Sequence, residues 1–145
     1  MKKIHLLLLL LIFSGVSASA YSPPRVRQDV IPCEIHNFLN KHFGKYEIEK
    51  IKYDQKDGEC EVKYKNGITV EFKNNHWEEI ESDYFPLPQS IIEILPPAAI
   101  RFIAKNYPRN PIREIKHKSY GYKVKLDHSY QLEFDHKGGI IEIDD

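Results

Sequence analysis

Two short turns carry the residues that could bind a metal ion. Asp127-His128 and Asp135-His136 each place a carboxylate beside an imidazole, and Asp144 and Asp145 follow near the end of the sequence. Because both groups are suitable zinc ligands, these residues admit a metal-dependent hydrolase or another enzyme as one interpretation. Neither pair has the H-E-x-x-H spacing of a metalloprotease, and Asp is common in turns because its side chain bonds to the local backbone. We therefore expect turn roles for both pairs and no metal site.

Cys33 and Cys60 are the two cysteines of the chain. An even cysteine count in an exported protein favours a disulfide, and these two would tie the first turn of a helix to the strand layer beneath it. The alternative is two separate buried thiols. The sequence contains no C-x-x-C, so a redox function is not expected.

Other catalytic signatures are missing from the sequence. It has no G-x-S-x-G, no phosphate-binding glycine loop and no cysteine in the local context of a peptidase nucleophile. Glu78 and Glu79 are adjacent carboxylates, but neighbours in a strand point to opposite faces of the sheet and do not act on one bond. The prediction is a protein that is not an enzyme, with no catalytic residues and no cofactor.

The first 20 residues have the organisation of a secretory signal. Lys2 and Lys3 precede an apolar run that ends at Phe13, and small residues follow it up to Ala20. The run is too short for a membrane span, which needs around 20 apolar residues. The whole chain has 21 Lys and Arg against 21 Asp and Glu, so losing Lys2 and Lys3 leaves a slightly acidic product. A nucleic-acid binder would be basic, and no other segment could cross a membrane.

Helical periodicity occurs twice after an extended, Pro-containing arm at residues 21–30. The first apolar series begins at Ile31 and ends at Phe43, with Pro32 in its first turn and Gly44 at its end. The second begins at Leu95 and ends at Tyr107, 64 positions later. Pro88, Ile91, Ile92 and Leu95 indicate a shorter helix before it. Both long segments are expected to be amphipathic helices.

Each helical segment is followed by alternating apolar and polar residues, the pattern of half-buried strands. A three-residue loop at 65–67 keeps one face apolar because it pairs Val62 with Val70 and Cys60 with Phe72. The second hairpin pairs Tyr122 with Phe134 around residues 127–129. In each unit one further strand precedes the hairpin and another follows it, which makes four strands. In both leading strands a three-residue apolar step predicts a bulge.

The predicted fold class is therefore α+β, a tandem duplication of a two-layer unit with a helix and a four-stranded antiparallel sheet. The expected divisions are a signal peptide at 1–20, an extended arm at 21–30, a first unit at 31–83 and a second at 84–145.

The two units together resemble a known family. The lines "CEVKYKNGITVEFKNNHWEEI" and "YGYKVKLDHSYQLEFDHKGGIIEI", each behind an "IP…FLNKHF" or "LP…FIAKNYP" helix, are similar to the PepSY-like family of periplasmic, β-lactamase-inhibitor-like proteins. The resemblance implies a BLIP-like fold and export. It also implies inhibitory or protein-binding roles, and it brings no catalytic residues.

Partner binding is expected either on the charged sheet face that the helices leave open or at aromatic residues between the units. We expect cross-strand charge pairs on that face, such as Lys123 with Glu133, and no aromatic anchor there. The candidate partner-binding residues are Lys63, Lys65, Glu71, Lys73, Trp77, Tyr84, Phe85, Tyr120, Lys123, Lys125 and Glu133.

These observations predict an exported, non-catalytic protein-binding module that modulates or inhibits a peptidase or another envelope protein. Its expected location is the periplasm or the extracellular medium, and its partner is an envelope or extracellular protein of unknown identity. The alternative is an enzyme or metal-dependent hydrolase that uses the Asp and His turns.

Overall fold

A computed structural model describes residues 31–127 and 130–144. The predicted signal peptide and extended arm lie outside the described residues. The helices are α1 (Cys33–Phe43), α2 (Gln89–Ile92) and α3 (Pro97–Asn106). The strands are β1 (Ile48–Asp54), β2 (Glu59–Tyr64), β3 (Ile68–Lys73), β4 (His76–Ser82), β5 (Ile112–Lys118), β6 (Gly121–Leu126), β7 (Gln131–Asp135) and β8 (Ile140–Asp144).

Both predicted long helices form, and prolines define where they begin. Pro32 is the N-cap of α1, and Pro96 is the N-cap of α3 with Pro97 inside its first turn. Proline suits this position because the first backbone N–H groups of a helix have no partner within the helix. α1 buries Ile35, Leu39 and Phe43, and α3 buries Ala99 and Ile103. This helical spacing places one apolar stripe of each helix against the sheet.

The strands form one antiparallel sheet in the order β1-β2-β3-β4-β5-β6-β7-β8. The predicted registers of both central hairpins are confirmed: Val62 lies opposite Val70, and Tyr122 lies opposite Phe134. The predicted bulges are also present, between Ile48 and Lys50 in β1 and between Ile112 and Glu114 in β5. β4 and β5 pair at three positions and so join the predicted units into a continuous sheet.

The turn at residues 65–67 needs a glycine at its last position. Gly67 has φ +85°, a left-handed conformation that side chains disfavour. A Cβ added there would lie 2.6 Å from Cδ2 of Tyr84, so the same glycine also gives Tyr84 space to pack over the turn. The next turn uses Asn74 and Asn75, both with positive φ, which is the conformation that a two-residue hairpin loop requires.

The core lies between the helices and one face of the sheet. Two edge-to-face aromatic pairs connect the layers at equivalent places: Phe38 of α1 with Phe72 of β3, and Phe102 of α3 with Phe134 of β7. Their ring centroids are 5.6 and 5.9 Å apart. The structure is therefore α+β, with helices on one side of an antiparallel sheet. No helix among residues 31–127 and 130–144 has the length and hydropathy to span a membrane.

Candidate protein-binding surface

The sheet face opposite the helices is here called the open face. It carries the charged residues that alternate with the buried ones, and most of its predicted partner-binding residues already have ionic partners. Lys73 Nζ lies 2.7 Å from Glu59, and Lys123 Nζ lies 3.5 Å from Glu133, the cross-strand pair expected from the sequence. Lys65 pairs with Glu47. Much of this face is thus neutralised by its own charges.

Lys63 and Lys125, like Lys50 of the outer strand β1, are exposed lysines of the open face that form no ion pair among the described residues. Both are held in register by their strands, opposite Thr69 and Gln131 respectively. They are therefore cations that an acidic partner group could approach without displacing an existing pair.

Four charged side chains meet where β4 and β5 pair, a region here called the seam. Carboxylate oxygens of Glu79, Glu81 and Glu114 all lie within 4.8 Å of one another. Lys116 Nζ lies 2.8 Å from Glu79 and 3.4 Å from Glu114. The register responsible sets Glu79 opposite Lys116 and Glu81 opposite Glu114. Lys116 is therefore the ionic partner of two of the three carboxylates.

Partial burial and crowding of negative charge perturb the acids of the seam. Partial burial raises the pKa of Glu81, and the nearby charges of Glu79 and Glu114 raise it further. The pKa of Glu71 in β3 is raised by partial burial and then by Glu79. Burial alone would lower the pKa of Lys116, but its hydrogen bond to Glu79 and the nearby carboxylates raise it instead. The seam therefore makes Glu81 easier to protonate and Lys116 harder to deprotonate.

Two large aromatic residues project from the loop that follows β4. Tyr84 is 69% exposed and Phe85 is 59% exposed. Gly67 leaves room for the Tyr84 ring over the β2–β3 turn, and the backbone N–H of Phe85 donates a 3.3 Å hydrogen bond to Ser82 Oγ. Asp83 N–H donates to the Gly67 carbonyl. These contacts fix an aromatic pair in solvent, here called the aromatic loop.

Arg113 ties the aromatic loop to the neighbouring end of β6. Its Nη2 donates to the carbonyl oxygen of Asp83, and its Nε lies 3.3 Å from Asp127 Oδ1. Asn110 also donates to the Asp127 carbonyl. Arg113 is the extra residue of the β5 bulge, which explains how a strand residue reaches sideways to both partners. The aromatic loop thus rests on a framework of charge-assisted bonds.

Trp77, another predicted anchor, is packed within the molecule. It is partly buried against the core, and its ring stacks on Tyr122 with centroids 6.4 Å apart and lies 5.5 Å from His117. His136 completes this cluster and its Nε2 lies 2.9 Å from the Ser119 carbonyl oxygen. Trp77 therefore joins the two halves of the sheet on the helix side.

Tyr120 corrects one expectation about the open face. It is 37% exposed, and its hydroxyl lies near the carboxylate of Glu133, an open-face residue. Desolvation and the nearby Glu133 carboxylate raise the pKa of Tyr120 to about 12. The open face thus has an aromatic residue, which strand periodicity missed because Tyr120 comes from the turn before Gly121.

The Asp and His turns have structural contacts in the described residues. Asp135 Oδ1 accepts the backbone N–H groups of Lys137 and Gly139, each at 2.8 Å, and these bonds lower the pKa of Asp135. Asp127 pairs with Arg113 at the opposite end of β7. Asp127 and Asp135 therefore do not converge on one site. His128 and Asp145 lie outside the described residues.

The predicted disulfide is not formed. Cys33 and Cys60 are free thiols: Cys33 is exposed as the first residue of α1, whereas Cys60 is buried beneath the helix layer. The prediction placed Cys33 in the first turn of the helix, where α1 does begin, but the buried stripe of α1 starts at Ile35. Burial raises the pKa of the Cys60 thiol to about 11, so it stays protonated at neutral pH.

Sequence reasoning missed the seam and the role of Arg113. Both depend on how β4 pairs with β5, and the 29 residues between Ser82 and Ile112 give no local signal of that register. The alternation in β4 does place Glu79 and Glu81 on one face, which was the available hint. The aromatic loop, by contrast, was identified from Tyr84-Phe85 beside two prolines.

Comparisons with known proteins agree with the resemblance noted from the sequence. The family model described as "Putative beta-lactamase-inhibitor-like, PepSY-like" matches residues 22–64 and 58–142. A search of curated proteins gives no match.

Three solved structures from Bacteroides are similar to the chain, and each match covers 81% of it. One from Bacteroides thetaiotaomicron, described as a "putative calcium-regulated periplasmic protein", is 29% identical over 92% of that chain, with a TM-score of 0.70. Two from Bacteroides vulgatus, both described as putative periplasmic proteins, are 27% and 26% identical over 92% and 94% of those chains, with TM-scores of 0.68 and 0.69. The predicted location in the periplasm or outside the cell is confirmed.

Proposed function

Since the chain belongs to the PepSY-like family, we propose that it is an exported, non-catalytic protein-binding module whose aromatic loop contacts the partner. The partner is a peptidase or another envelope protein, which this module modulates or inhibits. The observation that carries the proposal is the pair Tyr84 and Phe85, exposed by 69% and 59% on a loop with fixed contacts. Tyrosine is enriched among the residues that dominate binding energy, and aromatic residues are enriched in interfaces.

The energetics favour this loop over the charged face as the main contact. Burying an exposed Phe side chain is worth about 1.5–3 kcal/mol, and hydrogen bonds from Asp83, Phe85 and Arg113 already hold the loop, which reduces the entropy lost on binding. Exposed ion pairs contribute only about 0–1 kcal/mol, and those of the open face are occupied internally. Lys63 and Lys125 would add orientation and a faster association rate.

Site-specific photo-crosslinking tests this proposal. Benzoylphenylalanine placed at Tyr84 or Phe85 is expected to give a discrete adduct in the envelope of the native host, whereas the same group at exposed Lys56 or Lys105 is not. The double variant Tyr84→Ala with Phe85→Ala should bind the identified partner at least about tenfold more weakly, a loss of about 1.4 kcal/mol or more. Equal adducts from the control positions, or unchanged affinity of the double variant, would refute the proposal.

We also propose that the two halves arose by tandem duplication. Equivalent bulges in β1 and β5 and equivalent edge-to-face pairs, Phe38 with Phe72 and Phe102 with Phe134, support this origin.

A second candidate role is calcium-dependent regulation through the seam. Two observations favour it: a 29% identical relative is described as a "putative calcium-regulated periplasmic protein", and three seam carboxylates have oxygens within 4.8 Å of one another. Calcium binds six to eight oxygens at about 2.3–2.6 Å, so oxygens that share one ion lie within about 5 Å of one another. Glu79, Glu81 and Glu114 fit that requirement, while Lys116 would have to release both Glu79 and Glu114.

Calcium titration followed by thermal unfolding tests the second role. Millimolar Ca²⁺ should raise the melting temperature of the wild type, and Glu81→Gln with Glu114→Gln should abolish the rise. Glu59→Gln, a carboxylate change away from the seam, serves as the control and should leave the response intact. A response that survives in the seam variant, or that is absent in the wild type, would exclude this role.

A further inference from the structure

The two outer strands of the sheet have different surfaces. β8 is a five-residue strand in which every residue is exposed, and Ile140, Ile141 and Ile143 are 42%, 53% and 46% exposed. Ile143 lies opposite buried Leu132 and so faces the helix side. No described strand pairs with the outer edge of β8. An apolar edge strand of this kind is a template for pairing with another strand.

β4 provides an internal precedent for what fits β8. The two strands have equivalent bulges: Glu71 opposes Glu79 and Phe72 opposes Trp77, just as Glu133 opposes Glu142 and Phe134 opposes Ile140. Ile80 and Ile143 therefore occupy equivalent positions, and so do Glu79 and Glu142. Ile80 is fully buried, whereas Ile143 is 46% exposed.

The strand that covers β4 is β5, and its residues define the required pattern. Ile115 lies opposite Ile80, Lys116 lies opposite Glu79, and Lys116 Nζ is 2.8 Å from the Glu79 carboxylate. A strand that fits β8 in the same way needs an apolar residue opposite Ile143 and a cation opposite Glu142.

The other outer strand of the same chain has this pattern. β1 corresponds to β5, since both precede a hairpin and carry the same bulge. Ile51 and Lys52 occupy the places of Ile115 and Lys116, 64 positions earlier. Ile51 lies opposite buried Val62 and faces the helix side, as Ile143 does. β1 also has no described strand on its outer edge.

We infer that β8 of one molecule pairs with β1 of a second copy, head to tail, in the register of the β4–β5 seam. Ile143 would lie opposite Ile51, Glu142 opposite Lys52 and Asp144 opposite Lys50. Both charge pairs are complementary, whereas the seam itself sets Glu81 against Glu114. Lys50 lies opposite Lys63 within its own sheet, so Asp144 would also relieve a like-charge contact.

Charge argues against a two-fold pairing of β8 with itself. Glu142 and Asp144 are the charged residues of the strand, and both alternate with the isoleucines of the helix side. Consider two β8 strands paired about a two-fold axis, with the helix layers on the same side of the joined sheet. If the axis passes through Glu142, Glu142 lies opposite Glu142 of the other copy. If it passes through Ile143, Glu142 lies opposite Asp144. Like charges in direct opposition are unfavourable.

Head-to-tail pairing leaves one free edge at each end and so produces short linear oligomers or a ring. Two strands that pair at three residue positions bury much less than the roughly 1,200 Å² of a stable interface, so the association is expected to be weak. It does not involve the aromatic loop, and the proposed partner binding can therefore fail or succeed separately.

Sedimentation velocity of the mature chain, at concentrations up to about 1 mM, measures this association. Two charge-reversed variants test its polarity: Lys50→Glu with Lys52→Glu on β1, and Glu142→Lys with Asp144→Lys on β8. Each variant alone should associate at least about tenfold more weakly than the wild type, because two cross-strand pairs become repulsive. An equimolar mixture should regain association, because each reversed edge then meets a complementary one.

Controls separate this result from general charge effects and from unfolding. Arg101→Glu with Lys105→Glu, at exposed positions of α3, changes the net charge by the same amount as the β1 variant and should associate like the wild type. Lys50→Glu alone keeps the ion pair between Lys52 and Glu61 and guards against loss of folding in the double variant. Circular dichroism melting checks each variant.

Three results would overturn the inference. One is a wild-type sedimentation coefficient that does not change with concentration, which would leave the edge to a foreign basic strand. Another is undiminished association of the β1 variant, which would indicate β8 pairing with itself. The third is an equimolar mixture that associates no better than either variant alone.

Discussion

The strands β4 and β8 occupy equivalent places in the two halves, yet one is buried and the other is exposed. Ile80 in β4 is fully buried, while its counterpart Ile143 is 46% exposed. Both lie in similar local sequence, with an acidic residue on each side. The difference is that β5 pairs with β4, whereas β8 ends the sheet. Burial in this fold is therefore decided by sheet position as much as by residue type.

The centres of the two halves, in contrast, are closely alike. The edge-to-face pair Phe38 with Phe72 is repeated as Phe102 with Phe134. Both strand-side phenylalanines are buried, with 3% and 0% exposure. The halves thus have matched cores and unmatched outer strands, and the following variants test each side of that contrast.

Truncating the two core phenylalanines should have the largest effect. Phe72→Ala and Phe134→Ala are each expected to lower the free energy of unfolding by about 3–5 kcal/mol, because each leaves a cavity between sheet and helix. Since the sheet is continuous, both variants should unfold in one transition. Urea unfolding followed by Trp77 fluorescence and by circular dichroism measures this. Two separated transitions in either variant would mean that the halves are independent and that the seam couples them poorly.

The second variant pair addresses the contrast directly. Ile80→Ala should cost about 2–5 kcal/mol because it leaves a cavity in the core. Ile143→Ala should change stability by less than about 0.5 kcal/mol in dilute solution, as surface substitutions do. Urea midpoints of both variants at micromolar concentration provide the measurement. A large cost for Ile143→Ala would show that the exposed strand already contributes to the core, and the comparison with β4 would then be broken.

The sequence predicted the central hairpins of both halves but not the pairing between the halves. Alternation and turn parity predicted the pairing of Val62 with Val70 and of Tyr122 with Phe134, because a one-residue slip would bury lysines. The register of β4 with β5 was not predictable, because a long connection that includes α2 and α3 separates them. That register creates the cluster of Glu79, Glu81 and Glu114. Cys33 failed as a disulfide residue because helix periodicity beginning at Ile31 did not fix which side the first turn presents.

The sequence located the aromatic candidates better than it predicted their exposure. Tyr84 and Phe85 beside Pro86 suggested a joint, and the structure exposes both. Trp77 was also a candidate partner-binding residue, but its ring stacks on Tyr122 from the other half. Only the three-dimensional arrangement of β4 beside β5 and β6 separates these outcomes.

A smaller, pH-dependent difference between the halves is expected at His42. This residue is buried in α1, its Nδ1 has no hydrogen-bond partner, and burial followed by the charge of Lys41 lowers its pKa. The equivalent residue in α3 is Asn106, which is exposed and donates to the Phe102 carbonyl. The folded state holds His42 neutral, whereas the unfolded state binds a proton near its usual pKa of 6.5. Stability from this residue is therefore present above pH 6.5 and is lost as the pH falls below it.

His42→Asn places the residue of the second half into the first and isolates this effect. The variant should lose less stability than the wild type between pH 7.5 and pH 5.5, measured by urea midpoints at both values. The difference between the proteins is needed because the raised pKa values of Glu71 and Glu81 favour protonation in the folded state and so act in the opposite direction. An identical pH dependence in the variant would remove His42 as the source.

The smallest expected effect concerns the acidic positions of the same two strands. Glu81 in β4 lies directly opposite Glu114, whereas its counterpart Asp144 in β8 has no described strand on its outer side. Glu81→Gln should therefore stabilise the fold, by a few tenths to about 1 kcal/mol, because it removes a like-charge cross-strand contact. Asp144→Asn should have no measurable effect on dilute protein. The repulsion exists only while Glu81 is ionised, and its raised pKa means that it takes up a proton earlier as the pH falls. The gain in the free energy of unfolding should therefore be greatest at pH 7.5 and should shrink towards pH 4.5. Urea midpoints of both variants at these two pH values test the assignment. If Glu81→Gln destabilised the protein at pH 7.5, the seam carboxylates would be held by a favourable network around Lys116, and the strain assigned to β4 would not exist.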